Sequence, residues 1–256
     1  MLELYNFPPS TCSLKVRICL AEKRLDWMDR RLDSRDGEHL KPEYLKLNPN
    51  GVVPTLVHDG QVILDSSVIL EYLEEVFPEP RLSPEDAVGR AHMRKWLRFF
   101  EELPTPAVRF PSFNQVLING FKKLSPEDFA AAAERRPLRK HFYKQMGQDG
   151  FDAEAIDKAI DNMGTTVDRM EKALTEGGPW LMGELYTLAD ICVTPLIDRM
   201  EDLGMEAIWE ENHPAVTDWF CRMKARPAFA AAFYKGARFS DIYPDLELGR
   251  ASPPVC

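Results

Sequence analysis

Val52-Val53-Pro54-Thr55-Leu56-Val57, followed by Asp59-Gly60 and Val62-Ile63-Leu64, is the stretch on which the fold turns. Two apolar runs joined through Asp-Gly spell a hairpin, because those turn residues tolerate the positive φ angles that a two-residue connection demands. Pro54 disturbs the first run. Proline has no N–H to give to a strand ladder and is kept out of central strands. Either this run is an edge strand, or the Val53–Pro54 bond is cis, which turns the chain and leaves the backbone of Val53 free for a ligand.

Upstream, Leu2-Glu3-Leu4-Tyr5 alternates as a strand, Phe7-Pro8-Pro9-Ser10-Thr11 turns the chain, and Val16, Ile18, Cys19, Leu20 and Ala21 continue at helical spacing. Trp27 to Leu32 predicts a second strand, and Pro42 to Leu47 a short helix closed by Asn48-Pro49-Asn50-Gly51. Downstream of the hairpin, Ser66 to Phe77 has helical periodicity and ends at Pro78-Glu79-Pro80. The order is β-α-β-α-β-β-α. After Ser83-Pro84 the two-residue period vanishes, and Ala87 to Leu103, Asp152 to Thr175, Thr187 to Leu203 and Ala215 to Ala225 read as helices. The expected organisation is an α/β domain over 1–80, an all-α domain over 84–245 and a loose tail over 246–256.

Composition narrows the partners. The 32 basic and 41 acidic residues leave a formal charge of -9, which offers no general field for nucleic acid or an anionic membrane, so an anionic ligand must be held locally. No charged leader precedes an apolar stretch, and no window approaches the about 20 apolar residues of a membrane span, so a soluble cytoplasmic protein is expected. Cys12, Cys19, Cys192, Cys221 and Cys256 are odd in number and lack metal-ligand spacing; they read as free thiols, with no metal site.

Pro8-Pro9-Ser10-Thr11-Cys12-Ser13, Gly37-Glu38-His39 through Leu47-Asn48-Pro49, Val53-Pro54-Thr55-Leu56 and Asp65-Ser66-Ser67-Val68-Ile69 stand in the order and spacing of the glutathione transferase family, which the whole first domain resembles. The resemblance implies a thioredoxin-like first domain that binds glutathione, an all-helical bundle as the second, and a dimer, of identical chains or with a paralogue. It implies that Pro54 is the family's cis-proline, that Val53 pairs its backbone with the cysteinyl part of glutathione, and that His39 and Lys41 face the glycine carboxylate. Asp65 and Ser66 at a helix start offer a carboxylate for the ammonium group, and a hydroxyl with free N–H groups for the α-carboxylate. Asp and Ser are also plain helix caps.

A cysteine thiol with an ordinary pKa of about 8.5 needs help to ionise at neutral pH. Ser10 matches the activating serine of the zeta, delta and theta types, whereas Cys12-Ser13-Leu14 matches the bacterial beta type; the order of preference is Ser10, Ser13, Cys12. Thr187-Leu188-Ala189-Asp190 is a capping box, with Tyr186 and Ile191 set for a hydrophobic staple.

Between Pro104 and Asp152 runs a stretch that compact family members lack, rich in Phe and in Arg and Lys, including Arg135, Arg136 and Arg139. Phe121-Lys122-Lys123-Leu124-Ser125-Pro126-Glu127-Asp128-Phe129 and the charged helix after it resemble the branch containing bacterial β-etherases, which cleave β-aryl ethers of lignin-derived dimers. That resemblance implies an aromatic substrate pocket, with Phe7, Phe110, Phe113, Phe142, Tyr143 and Tyr243 as candidates for its wall. Aromatics at helical spacing also build cores. A zeta-like isomerase, a dehalogenase and a non-catalytic binding protein are the alternatives, the long insertion weighing against the isomerase.

Overall fold

The computed structural model describes residues 1–249; Arg250 to Cys256, the greater part of the expected loose tail, lie outside the described residues. A four-stranded sheet opens the chain, in the order β2-β1-β3-β4. Its strands are β1 (Leu2–Asn6), β2 (Trp27–Arg31), β3 (Thr55–His58) and β4 (Gln61–Leu64). β1 runs parallel to β2 and antiparallel to β3, with Leu4 opposite Leu56, and β3 and β4 form the antiparallel Asp59-Gly60 hairpin. Asp59 and Gly60 both have positive φ, 48° and 81°, as that tight connection requires.

Helix α1 (Thr11–Glu22) and helix α3 (Ser66–Val76) flank this sheet, and a short α2 (Pro42–Leu45) precedes the hairpin. The Val53–Pro54 bond is cis, and β3 begins only at Thr55, so the ladder starts after the proline instead of containing it. The loop ahead of it is held from behind. Tyr44 Oη donates to the Val52 carbonyl at 2.6 Å, and Asn48 Nδ2 reaches the same carbonyl at 2.8 Å and Thr55 Oγ1 at 3.0 Å.

The second domain opens with α4 (Ala87–Glu102) and continues through short helical pieces α5 (Pro104–Ala107), α6 (Arg109–Ser112), a π-helical turn at Phe113–Leu117 and α7 (Ile118–Phe121). Then come α8 (Pro126–Glu134), α9 (Lys140–Met146), α10 (Ala153–Gly177), α11 (Leu188–Asp202), α12 (Ala207–Glu210), α13 (Pro214–Lys224), α14 (Pro227–Ala232) and α15 (Phe239–Ile242). Every residue of α11 is buried, and it packs on α1, α4 and α13. Its start is the expected capping box, and the Asp190 carboxylate goes further, accepting from Leu181 N, Thr187 N and Trp219 Nε1, each at 3.0 Å. Burial pushes the Asp190 carboxyl up to about 6 against those hydrogen bonds.

α1 is clasped between the sheet and the bundle. Lys15, fully buried, pairs with Glu101 of α4 at 2.5 Å and donates to Thr105 at 3.1 Å; Lys23 pairs with Glu74 and donates to the Phe77 and Pro80 carbonyls. Paired buried ammonium groups fix geometry, because breaking either pair would strand a charge in a dry interior.

The insertion builds a core of its own, around Phe113, Phe129, Tyr143, Met146 and Phe151. This corrects the placement of Phe110 and Phe142 on the pocket wall. Phe110 packs against Phe151 at 4.3 Å between ring centroids and Phe142 against Phe113 at 4.9 Å, both spent on core packing as aromatics at helical spacing commonly are. Asn114 ties the turn at Phe151 with hydrogen bonds of 2.9 and 2.8 Å. Gly150 permits this approach, since a Cβ there would sit 2.7 Å from Asn114 Oδ1.

Cys12, Cys19 and Cys192 carry free thiols. Cys221 is disulfide-bonded, which corrects the reading of it as a free thiol: pairing follows proximity in the fold, to which spacing along the chain is blind. At the start of the expected loose tail, Leu246 and Leu248 pack against the cluster of Val116, Leu203 and Phe239. No helix among the described residues is long and apolar enough to cross a membrane.

Candidate functional site

A cavity of about 680 Å³ lies where the loop before α1, the Gly51–Val53 loop and the inserted helices meet. The first loop carries Pro8 and Pro9, which have carbonyls to satisfy and no N–H to contribute. Two buried arginines supply the donors: Arg17 Nη2 reaches Pro8 O and Arg199 Nη2 reaches Pro9 O, each at 2.6 Å. Tyr234 accepts from Arg17 at 2.6 Å and Phe239 lies 3.7 Å beneath the Arg199 guanidinium, so the loop is clamped from α1 and from α11. Neither arginine was singled out by sequence reasoning; both lie on buried helices, where periodicity alone promises apolar residues.

Ser10 is the N-cap of α1 and lines the cavity, its Oγ accepting from Ser13 N at 3.3 Å. That bond uses a lone pair and leaves the hydroxyl proton to be donated elsewhere. Thr11 and Cys12 also line the wall, and as first-turn residues their N–H groups have no intrahelical acceptor. Ser13 is corrected: it is fully buried and absent from the wall, because each helical residue turns the side chain about 100° further round the axis. Cys12 is the cavity's thiol among the described cysteines, while burial pushes Cys19 and Cys192 up to about 12.

Val53 is on the wall, and Pro54 sits buried behind it. Gly51 lies on the wall too, at φ 59°, where a Cβ would come within 2.9 Å of Leu40 and 3.2 Å of Pro137 of the insertion. His39 lines the cavity edge-on to Phe7 at 5.1 Å, its buried Nδ1 without a partner. Burial first, then the charges of Arg136 and Arg139, hold its imidazole down to about 4, so it is neutral at pH 7. Lys41 does not line the cavity; it is exposed, 3.6 Å from Glu38, because the turn that aims His39 inward aims its neighbour two places on outward.

Asp65 and Ser66 are at the start of α3 and do not line the cavity. Asp65 is the N-cap; Oδ1 accepts from Ser67 N at 2.9 Å, Ser67 Oγ at 2.7 Å and Val68 N at 3.3 Å. That leaves Oδ2 of an exposed carboxylate beside a helix N-terminus. Capping and ligand binding are therefore compatible in one side chain.

The cavity wall is aromatic and cationic. Phe7, Phe113, Tyr143 and Tyr243 stand on it, joined by Phe121 and Phe239. Arg35, Arg109, Lys123, Arg136, Arg139 and Arg199 line it as well, against Asp245 as the single acid among the described residues. The composition of the inserted stretch announced Arg136 and Arg139; Arg35 and Arg199 come from elsewhere in the chain, and which cations face inward needed the fold.

The family model of the glutathione S-transferase N-terminal domain matches residues 9–76, and that of the glutathione S-transferase C-terminal domain matches 128–227. Protein LigF of Sphingobium sp. (strain NBRC 103272 / SYK-6) is 33% identical over 244 residues, 93% of this chain and 95% of that protein. The crystal structure of beta-etherase LigF from Sphingobium sp. strain SYK-6 is similar with a TM-score of 0.83 at 32% identity, over 91% of this chain and 98% of that one. A tetrachloro-p-hydroquinone reductive dehalogenase of Sphingobium chlorophenolicum is 28% identical over 244 residues, 90% of this chain and 95% of that protein.

Proposed function

The chain belongs to the glutathione S-transferase family, and on that premise we propose that it cleaves β-aryl ethers, joining glutathione to the carbon that carried the aryloxy group. The observation that carries this reading is the juxtaposition in one cavity of the Ser10 hydroxyl at the N-terminus of α1 with the aromatic wall of Phe7, Phe113, Phe121, Tyr143 and Tyr243. Likeness to a beta-etherase over nearly the whole chain supports it.

In this reading glutathione lies along the Val53 loop. Its ammonium meets Asp65, its α-carboxylate the Ser66 end of α3, and its glycine carboxylate the His39 side. Ser10 Oγ donates to the sulfur, and the α1 N-terminus adds its partial positive charge, so the thiolate is favoured over the thiol. The thiol proton leaves to solvent. The thiolate then attacks the carbon next to a ketone; a C–S bond forms, the C–O bond breaks, and the electron pair departs on a phenolate. Side-by-side binding supplies proximity, and the aromatic wall keeps water from the reacting carbon. The test is incubation with 2-phenoxyacetophenone and glutathione: equimolar phenol and thioether support the reading, and a protein that binds glutathione yet releases no phenol refutes it.

A second reading, reductive dehalogenation, is favoured by Cys12 beside Ser10 on the wall and by the dehalogenase relative. There the glutathione thiolate would first displace halide from the substrate carbon to give a thioether. The Cys12 thiolate would then attack its sulfur, forming an S–S bond as the C–S bond breaks, with the electron pair left on the carbon, which takes a proton, and Cys12 held as a mixed disulfide with glutathione. Trapping that disulfide, and its loss in Cys12→Ser, separates the two. We further propose a cytoplasmic dimer, since reduced glutathione is maintained in that compartment and Val68, Val76 and Val88 leave apolar surface exposed on α3 and α4; a monomer at micromolar concentration in sedimentation would refute the assembly.

A further inference from the structure

The cations on the cavity wall exceed what the reading above consumes. Arg109, Lys123, Arg136 and Arg139 all come from the inserted helices and line the cavity. None of them forms an ion pair among the described residues, whereas Lys140 and Lys144, one turn away on α9, share Glu134. Arg136 lies 4.2 Å over the Tyr143 ring, and its buried Nε has no acceptor. Arg109 and Arg139 line the same cavity, and burial first, then the charge of Arg109, hold the Arg139 guanidinium down to about 10.

Two further cations are already engaged: Arg199 with Asp202 and the Pro9 carbonyl, and Arg35 over the Tyr243 ring at 5.6 Å. Like charges gathered round a half-enclosed space, in a chain whose net charge is -9, cost free energy that only an anion can return. Glutathione brings two carboxylates, and the reading above gives one to the start of α3 and the other to the His39 side. On the His39 side the stronger charge is that of Arg136, which serves the glycine carboxylate; Arg139, felt by both His39 and Arg109, and Arg109 beyond it remain for the second substrate, with Lys123 at the exposed rim.

We propose that the second substrate is itself an anion, an aromatic ether bearing a carboxylate, whose ring packs on Phe113, Phe121 and Tyr143 while its carboxylate is held by Arg109 and Arg139. The inference rests on the ether-cleaving reading for its chemistry and on the unpaired cations for its charge. Guanidinium groups suit a carboxylate because their paired N–H donors match its two oxygens.

The test compares 2-phenoxyacetophenone with the two analogues that carry a carboxylate at the para position of one ring or the other. At least one acid should exceed the neutral ether by about tenfold in kcat/KM, and Arg109→Gln or Arg139→Gln should cut that ratio about tenfold, as expected for one charge-assisted hydrogen bond. Raising salt should shrink the ratio. Lys140→Gln, whose charge is spent on Glu134, should keep it. Equal turnover of acids and neutral ether, or a ratio unchanged in both arginine variants, overturns the proposal whatever happens to glutathione affinity. Should no ether be cleaved, the ether-cleaving reading fails by itself and charge preference is read by calorimetry on the glutathione-saturated protein, with phenoxyacetate against phenoxyacetamide. Tighter phenoxyacetate binding that disappears in the Arg109→Gln/Arg139→Gln double variant sustains the proposal; equal binding of the two, or binding of neither, overturns it.

Discussion

Ser10→Ala removes two interactions made by one oxygen, and they can be measured apart. As N-cap of α1, Ser10 Oγ accepts from Ser13 N at 3.3 Å, and losing a serine cap costs about 1 kcal/mol. For a chain of 256 residues that is a fall of about 2–4 °C in Tm. As donor to the glutathione sulfur, the same hydroxyl would be worth about 1.5–3 kcal/mol, the usual value of a hydrogen bond to a charged group. Divided by 1.36 kcal/mol per unit, this raises the pKa of bound glutathione by about 1–2 units. At a pH below both pKa values the thiolate fraction falls about ten- to a hundredfold, but a more basic thiolate is a better nucleophile, with a Brønsted slope of about 0.4–0.5. In that pH range the net loss in kcat is then about three- to sixteenfold where chemistry limits the rate. The assay is ultraviolet absorbance of bound thiolate against pH, paired with kcat over the same range. The titration should shift upward, and the rate loss should vanish above the new pKa. A variant with the lowered Tm but an unmoved titration would show that Ser10 only caps the helix and that the donor to sulfur lies elsewhere, with Cys12 and the first-turn N–H groups next in line.

Asp65→Ala should weaken glutathione about ten- to a hundredfold by calorimetry, and unchanged affinity would leave Asp65 as a cap alone. His39, held down to about 4 in the free protein, should titrate there by NMR and move toward its ordinary 6.5 in an Arg136→Gln/Arg139→Gln variant; a midpoint already near 6.5 would mean that those charges do not reach it. Because its native pKa is depressed, His39 contributes stability that is present above 6.5 and lost as the pH falls through 4. Asp190→Ala strands the N–H groups of Leu181, Thr187 and Trp219, at about 1–3 kcal/mol each. The native carboxyl is raised from 3.8 to about 6, so its stabilising contribution is full below 3.8 and falls by about 3 kcal/mol as the pH rises through 6. Urea melts should therefore show a larger loss for Asp190→Ala at pH 5 than at pH 8, and the opposite order would mean that the buried carboxylate is ionised without penalty.

Local signals determined much of this protein without a structure. Asp59-Gly60 between apolar runs means a hairpin because few residues accept two successive positive φ angles, Thr187 with Asp190 means a helix start because their side chains bond to neighbouring N–H groups, and the change of period past Ser83 separates sheet from bundle. Each of these interactions spans a few residues, so the chain spells it out. Ser10, Val53 and His39, which belong to short motifs, could be picked out for the same reason, and they line the cavity. Tertiary structure alone decided what depends on distant segments meeting. Helix rotation took Ser13 away from the wall that holds Ser10 and Cys12. Packing of the insertion drew Phe110 and Phe142 into a core and left Phe113 and Tyr143 at the cavity. Arg199, 190 residues from Pro9, closes on its carbonyl, and Arg109 and Arg139 line one cavity with no ion-pair partner among the described residues. No periodicity records such encounters, because side-chain direction and charge neighbourhood are set by how the helices stack, and only the folded chain brings those groups within reach of one another.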